Sequence, residues 1–99
     1  MNYVLRPSKV FLGQLPEFTE QERHLILEKL ELARSNPFRN KSLYAPGLTK
    51  VFEIKITLKG IYSRIIYWVE GNEIKIAGVI NRKNNFRDLL KLLFEANKG

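Results

Sequence analysis

The first third of the chain carries apolar residues at the spacing of an α-helix. Thr19 and Glu22 stand at capping-box spacing, which marks a helix start. An apolar stripe follows at helical intervals, made of Leu25, Ile26, Leu30 and Ala33. The Asn36-Pro37 pair ends the helix, because proline disfavours helical backbone in the residue before it. Upstream, residues 3–6 are predicted to be extended, and Ser8 is placed to cap a short helix over residues 9–15.

Further along, the period changes to two, which is the period of a β-strand. In residues 51–56, Phe52, Ile54 and Ile56 fall on one face and alternate with Glu53 and Lys55 on the other. Two more strands are predicted over residues 62–69 and 73–80, and the turn signals between the three strands are Lys59-Gly60 and Gly71-Asn72. The three segments therefore predict an antiparallel meander, preceded by an irregular basic connector over residues 38–50 with a Pro46-Gly47 turn.

The helical period returns over residues 86–96, where one stripe is made of Phe86, Leu89, Leu90 and Leu93. The predicted order is β-α-α-β-β-β-α, in a single domain over residues 1–99. This order indicates the α+β class, with helices packed on one face of an antiparallel sheet.

Composition narrows the chemistry that the chain can carry. It has no cysteine and a single histidine, His24, so disulfides, thiolate metal sites and multi-histidine sites are excluded. No stretch reaches the roughly 20 apolar residues that cross a bilayer. No cofactor and no metal are expected, and neither is a membrane partner. The expected compartment is the cytoplasm.

Charge is distributed unevenly within a net charge of +7. Residues 1–33 have a balance of −1, whereas residues 34–99 hold thirteen lysines and arginines against five acidic residues, a balance of +8. Such a field attracts a polyanion or an acidic protein. Nucleic acid and an acidic protein partner both remain open on charge alone.

The strand region resembles the RelE/ParE superfamily of toxins from type II toxin–antitoxin systems, and within it the HigB-like branch. Two stretches carry the resemblance: Phe52-Glu53-Ile54-Lys55-Ile56, and Arg64-Ile65-Ile66-Tyr67 on the next strand. The resemblance implies a ribosome-dependent messenger RNA endonuclease that is inhibited by a cognate antitoxin and forms oligomers through it. In this chemistry the ribose 2′-hydroxyl of the RNA is the nucleophile, and protein cations stabilise the charge that develops on the phosphate.

The same resemblance implies roles for particular residues. Arg64 matches the phosphate-binding arginine of the strand, Lys55 a basic residue on the neighbouring strand, and Arg82 the basic loop after the last strand. These three are the predicted catalytic residues, and the predicted RNA contacts beside them are Lys83, Lys50, Glu53 and Tyr67. Glu53 has a second reading as a cross-strand ion-pair partner, and the strand tyrosines have a second reading as core residues.

Two positions depart from the family pattern. Asn81 stands where relatives often have histidine before the loop arginine, and Phe86 where many have tyrosine after it. Asparagine does not titrate and phenylalanine has no hydroxyl, so the usual proton-transfer groups are absent there; Tyr62 or Tyr67 is a candidate replacement. Two alternatives therefore stay open: a catalytically degenerate homologue that binds an antitoxin, and a ParE-like topoisomerase poison.

Overall fold

The structure, a computed structural model, describes residues 3–98. Within this range the elements follow in the order β1 (Val4–Pro7), α1 (Lys9–Gln14), a 3-10 turn (Leu15–Glu17), α2 (Glu20–Ser35), β2 (Lys41–Ala45), β3 (Leu48–Leu58), β4 (Ile61–Glu70), β5 (Glu73–Asn81) and α3 (Phe86–Asn97). No described helix is long and apolar enough to cross a membrane.

The five strands form one sheet in the order β1-β5-β4-β3-β2. Strands β3, β4 and β5 pair antiparallel with their neighbours, so the predicted meander is confirmed. Strand β1 adds to the outer edge of β5 in the parallel direction. The two predicted turns lie between the strands as expected, and Gly60 and Gly71 both have positive φ.

Within residues 38–50 the predicted Pro46-Gly47 turn is confirmed, but the prediction that the rest of this segment is irregular was wrong. Residues Lys41–Ala45 form β2, which pairs antiparallel with β3, and Gly47 (φ +80°) lies in the turn between the two strands. The segment lacks apolar alternation because an edge strand is held by backbone hydrogen bonds and tolerates polar side chains. Strand β3 is correspondingly longer than predicted, beginning at Leu48.

Alternation along β4 gives the sheet two apolar faces. Ile65 and Tyr67 point to a core that they share with Phe52, Ile54 and residues of α2. Ile66 and Trp68 belong to a second core, shared with residues of α3. Because successive strand residues point to opposite sides, the two cores lie on opposite faces of the sheet.

The predicted α+β class is confirmed. The helix layer predicted on one face of the sheet is provided by α2, and α3 covers part of the other face. Helix α1 lies along the edge of β5 beyond the end of β1. There the Gln14 side chain donates to the Val79 carbonyl at 3.0 Å and accepts from the Val79 N–H at 2.7 Å, as a paired strand would. Gly78 allows this approach, because a Cβ there would lie 2.8 Å from Gln14 Oε1.

Helix starts follow capping chemistry. The predicted Thr19–Glu22 capping box is confirmed at α2, and a second box, Asn85–Asp88, begins α3. The predicted apolar stripe of α3 is partly right, since Leu89 and Leu93 are buried. Phe86 is instead 55% exposed, because it is the first helical residue and its side chain lies outside the packed part of the helix.

Candidate functional site

The part of the sheet beyond α3 is lined by polar and charged side chains. Lys55 on β3 and Arg64 on β4 are direct cross-strand partners, so their side chains share one face. The face is the one that carries Ile66 and Trp68, two and four residues along β4 from Arg64. The register, which the sequence left undetermined, thus brings the first two predicted catalytic residues together.

Arg82 lies at the end of the next strand. Its N–H donates to the Tyr62 carbonyl at 3.0 Å, which extends the pairing of β4 and β5 by one hydrogen bond beyond the Ser63–Asn81 pair. Arg82 is exposed, and so is Lys83 beside it. We call Lys55, Arg64 and Arg82 the cationic face.

Asn81 shapes the loop that presents Arg82. Its side-chain oxygen accepts from the Lys83 N–H at 2.8 Å, and its own N–H donates to Asn84 Oδ1 at 2.8 Å. The residue that stands at the usual histidine position is therefore committed to the turn. This arrangement fixes the backbone that follows β5 and so sets the start of the Arg82 side chain.

Glu53 lies beneath the cationic face and is paired with two cations. Arg64 Nη1 donates to Glu53 Oε2 at 3.3 Å, and Lys41 Nζ lies 3.7 Å from Glu53 Oε1. The Glu53 side chain is 3% exposed, against 23% for Arg64 and 66% for Lys41. A buried carboxylate is costly without counter-ions, so this pairing matches the ion-pair reading of Glu53. With 3% of its side chain exposed, Glu53 offers almost no surface for the predicted direct contact with RNA.

Tyr67 does not belong to the site. Its ring is fully buried in the α2 core and stacks on Phe52 at a centroid distance of 5.5 Å. Its hydroxyl donates to the Pro37 carbonyl and accepts from Asn40 Nδ2. Burial raises the pKa of the Tyr67 hydroxyl, and the Asn40 hydrogen bond opposes the rise. The predicted RNA contact at Tyr67 was wrong, because strand alternation points the side chain to the other face of the sheet.

Lys50 is also separated from the cationic face. It lies at the β2–β3 register shift with φ +57°, and its Nζ is 5.9 Å from the Phe38 ring centroid. Phe38 packs edge-to-face on Phe52, which belongs to the α2 side of the sheet. Lys50 therefore does not join Lys55 and Arg64 in one site, contrary to the prediction of a shared RNA-binding surface.

Two further residues on this face of the sheet, Tyr62 and Lys41, have functional groups that can contact a ligand. Tyr62 precedes Arg64 by two residues on β4, so it shares the same face, and it is 40% exposed. Lys41 lies on the same face through its pairing with Glu53. The sequence pattern indicates Tyr62 only as one of two candidate hydroxyls and gives no signal for Lys41, because the segment containing Lys41 lacks the alternation that predicts a strand. Within residues 3–98, no group of three or more His, Asp or Glu side chains is placed to hold a metal ion.

Comparison of the whole structure with solved structures finds a close match in shape. The structure of the E. coli toxin RelE, a double arginine-to-alanine mutant in the free state, superposes with a TM-score of 0.70 at 19% sequence identity. The match covers 99% of this chain and 97% of that chain. The chain has the fold of the RelE toxin. No protein-family model matches the sequence, and no curated protein matches it either.

The likeness to the RelE structure extends over the whole chain and is not confined to the sheet. The superposition covers nearly all of both chains, so the likeness concerns the fold as a whole. At this level of identity the side chains of the site are not inherited from the fold, and the chemistry has to be argued from the residues present.

Proposed function

We propose that the protein is the toxin of a type II toxin–antitoxin system and that it cleaves messenger RNA on the ribosome. The observation that carries the proposal is the pairing of Lys55 with Arg64 across β3 and β4, with Arg82 at the end of β5, on a RelE fold. Fixed cations on a rigid sheet are suited to a phosphodiester, and the strand motif favours the HigB-like branch. The site of action is the cytoplasm, where messenger RNA and ribosomes meet.

The chemistry requires little from the protein beyond orientation and charge. The RNA 2′-hydroxyl gives its proton to solvent water as its oxygen attacks the adjacent phosphorus, the bond to the 5′-oxygen of the next nucleotide breaks, and a cyclic phosphate forms. Arg64 grips phosphate oxygens with its planar guanidinium, and Lys55 and Arg82 offset the negative charge of the pentavalent transition state. Tyr62 is exposed and lies two residues from Arg64 on the same face of β4. Its hydroxyl gives a proton to the departing oxygen.

The test is inducible expression followed by mapping of RNA ends. Wild-type protein is expected to arrest growth and to create new ends within translated messages. Arg64→Ala is expected to lower cleavage about a hundredfold or more, since one charge-stabilising group is lost. Arg64→Lys keeps a cation beside Glu53 and loses the planar fork, so it separates the chemistry from folding. Translated RNA that stays intact while folded wild-type protein accumulates would contradict the proposal.

A second candidate function rests on a specific observation at the same site. Arg64 is paired with a buried carboxylate, and the two usual proton-transfer positions hold Asn81 and Phe86. These features favour a homologue that binds an antitoxin without cleaving RNA. Such a protein would be harmless on expression and would still form a complex with the product of a neighbouring gene. A ParE-like poison would instead induce a DNA-damage response with RNA intact.

The antitoxin partner follows from the charge of the protein. The net charge is +7, and the excess lies in residues 34–99. An acidic chain, or an acidic segment that folds on contact, complements this surface. Co-purification with the product of the adjacent gene tests the partnership, and a complex that dissociates as salt is raised is the expected result.

A further inference from the structure

Lys41 extends the cationic face to a fourth strand. It is the direct cross-strand partner of Glu53, so its side chain is on the face that holds Lys55 and Arg64. It belongs to β2, which the sequence pattern did not reveal as a strand. With Lys41 included, β4, β3 and β2 each place one cation on this side of the sheet, namely Arg64, Lys55 and Lys41, and Arg82 follows the end of β5, where it opposes Tyr62.

The buried carboxylate of Glu53 ties the outer cation to the inner ones. One carboxylate oxygen accepts from Arg64 and the other faces the Lys41 ammonium, at 3.3 and 3.7 Å. The carboxylate is almost fully buried, whereas 23% of the Arg64 side chain and 66% of the Lys41 side chain remain exposed to solvent. Arg64, Lys41 and Glu53 together carry a net positive charge, so this group of side chains can still attract a phosphate.

The geometry of the row determines what kind of ligand fits it. Neighbouring strands lie about 4.8 Å apart, so the four cations span about 14 Å across the strands. The row runs diagonally, because Arg82 opposes Tyr62 whereas Lys41 opposes Glu53, whose partner on β4 is Ile66. One phosphate cannot bridge that distance. A single-stranded oligonucleotide with successive phosphates can do so.

We propose that Lys41 is a phosphate-binding residue for a nucleotide beyond the one held at Arg64, and that a single RNA strand crosses the sheet diagonally from β5 to β2. This inference rests on the proposed RNA-directed function and deepens it, since it assigns the path of the substrate and a contact outside the cleavage position. The contact is with the backbone, so it adds affinity for any sequence.

The test measures binding separately from cleavage. The probe is a fluorescent single-stranded oligonucleotide with 2′-O-methyl riboses, which lacks the attacking hydroxyl, and the readout is anisotropy over a salt series. Lys41→Gln is expected to weaken binding about two- to fivefold, as for one exposed ion pair. It should also reduce the slope of log affinity against log salt by about 0.7, the value for one phosphate contact on a single strand.

Lys98→Gln is the matched control. This substitution also removes one positive charge, at the C-terminal end of α3. That end of the helix lies near Trp68 and Lys75, at the opposite end of the sheet from Arg82. The control should bind as wild type does. A dinucleotide probe, too short to reach Lys41 from Arg64, should bind Lys41→Gln and wild type equally.

The outcomes separate this inference from the proposed function. Equal binding of the long probe by Lys41→Gln and Lys98→Gln, or no binding of that probe by folded wild-type protein, overturns the path to β2. If the wild-type protein binds the probe and Lys41→Gln weakens this binding as expected, but translated RNA is never cut, the proposed RNA path stands and the proposed nuclease function is wrong. Lys41 is exposed, so its substitution leaves the core intact, which a thermal melt will verify.

Discussion

At the scale of single residues, the most consequential pairing is that of Glu53 with Arg64 and Lys41. Arg64 is an amphipathic strand residue whose guanidinium would have many conformations on an open sheet. The ion pair with the buried Glu53 carboxylate limits those conformations, and 23% of the Arg64 side chain remains exposed. The same carboxylate reduces the local positive charge. Glu53 therefore orients the Arg64 guanidinium and at the same time weakens the attraction of this part of the sheet for an anion.

Tyr67 offers the sharpest residue-scale test of the boundary between core and site. Tyr67→Phe removes the hydroxyl that bridges the buried Pro37 carbonyl and the half-buried Asn40 amide, and leaves both groups without this partner. We expect a loss of about 1–3 kcal/mol in the free energy of unfolding, measured by urea denaturation. RNA binding should stay at the wild-type level, because the side chain lies on the other face.

Tyr62→Phe is the control for this substitution. It removes the same atom from an exposed tyrosine, so the unfolding free energy should change by no more than about 0.5 kcal/mol. Cleavage, where Tyr62 is the proposed acid, should fall instead. Reduced RNA binding by folded Tyr67→Phe would show that the assignment of Tyr67 to the core alone is wrong.

At the scale of elements, the caps decide where the loop beside the cationic face ends and α3 begins. The Asp88 N–H donates to Asn85 Oδ1 at 3.0 Å, and Asp88 Oδ2 accepts from the Asn85 N–H at 3.0 Å. That backbone hydrogen bond, followed by the one from Asn84, holds the pKa of Asp88 below its usual value. Folding thus favours the charged form of the Asp88 carboxyl group. The hydrogen bonds that Asp88 accepts tie the loop after Arg82 to the first turn of α3.

This capping box predicts a specific dependence of stability on pH. A lowered folded pKa means that the stabilisation is present above the unfolded value of 3.8 and is lost as pH falls through the folded pKa. Asp88→Asn should therefore melt below wild type at neutral pH, and the gap should close as the pH falls below 3.8. Thermal melts across this range make the measurement. Glu95→Gln, at the far end of α3, serves as the control, and an equal narrowing with it would argue against the box.

At the scale of the whole molecule, the location of charge matters more than its total. The cationic face gathers part of the basic excess at the end of the sheet that α3 leaves open. Other lysines, such as Lys9 and Lys98, lie elsewhere on the surface. A polyanion that responded only to net charge would not distinguish between these positions, whereas a ligand of the cationic face would do so.

Two double variants with equal net charge test this distinction. Lys55→Gln with Arg82→Gln should reduce the salt slope for the 2′-O-methyl oligonucleotide by about 1.4, the value for two phosphate contacts. Lys9→Gln with Lys98→Gln should leave the slope near that of wild type. Parallel decreases in both double variants would mean that the attraction is diffuse and that the face is not a binding site.

The sequence predicted those parts of the fold that depend on local chemistry. The α2 capping box, the three strands of the meander and their turns follow from residues close together in the chain, such as Thr19 with Glu22. Strand β2 could not be predicted in this way. Its residues carry no alternating pattern, and its conformation comes from pairing with β3 on the edge of the sheet.

What the sequence determined by itself is the identity of the cations and the alternation that turns Lys55 away from the apolar face of β3. What only the tertiary structure decided is which residues meet. Cross-strand register sets Arg64 against Lys55 and Lys41 against Glu53, and the same alternation buries Tyr67. The physical reason is that a shift of register by one residue exchanges the two faces of a strand, and the register is fixed by the packing of two cores on opposite sides of the sheet.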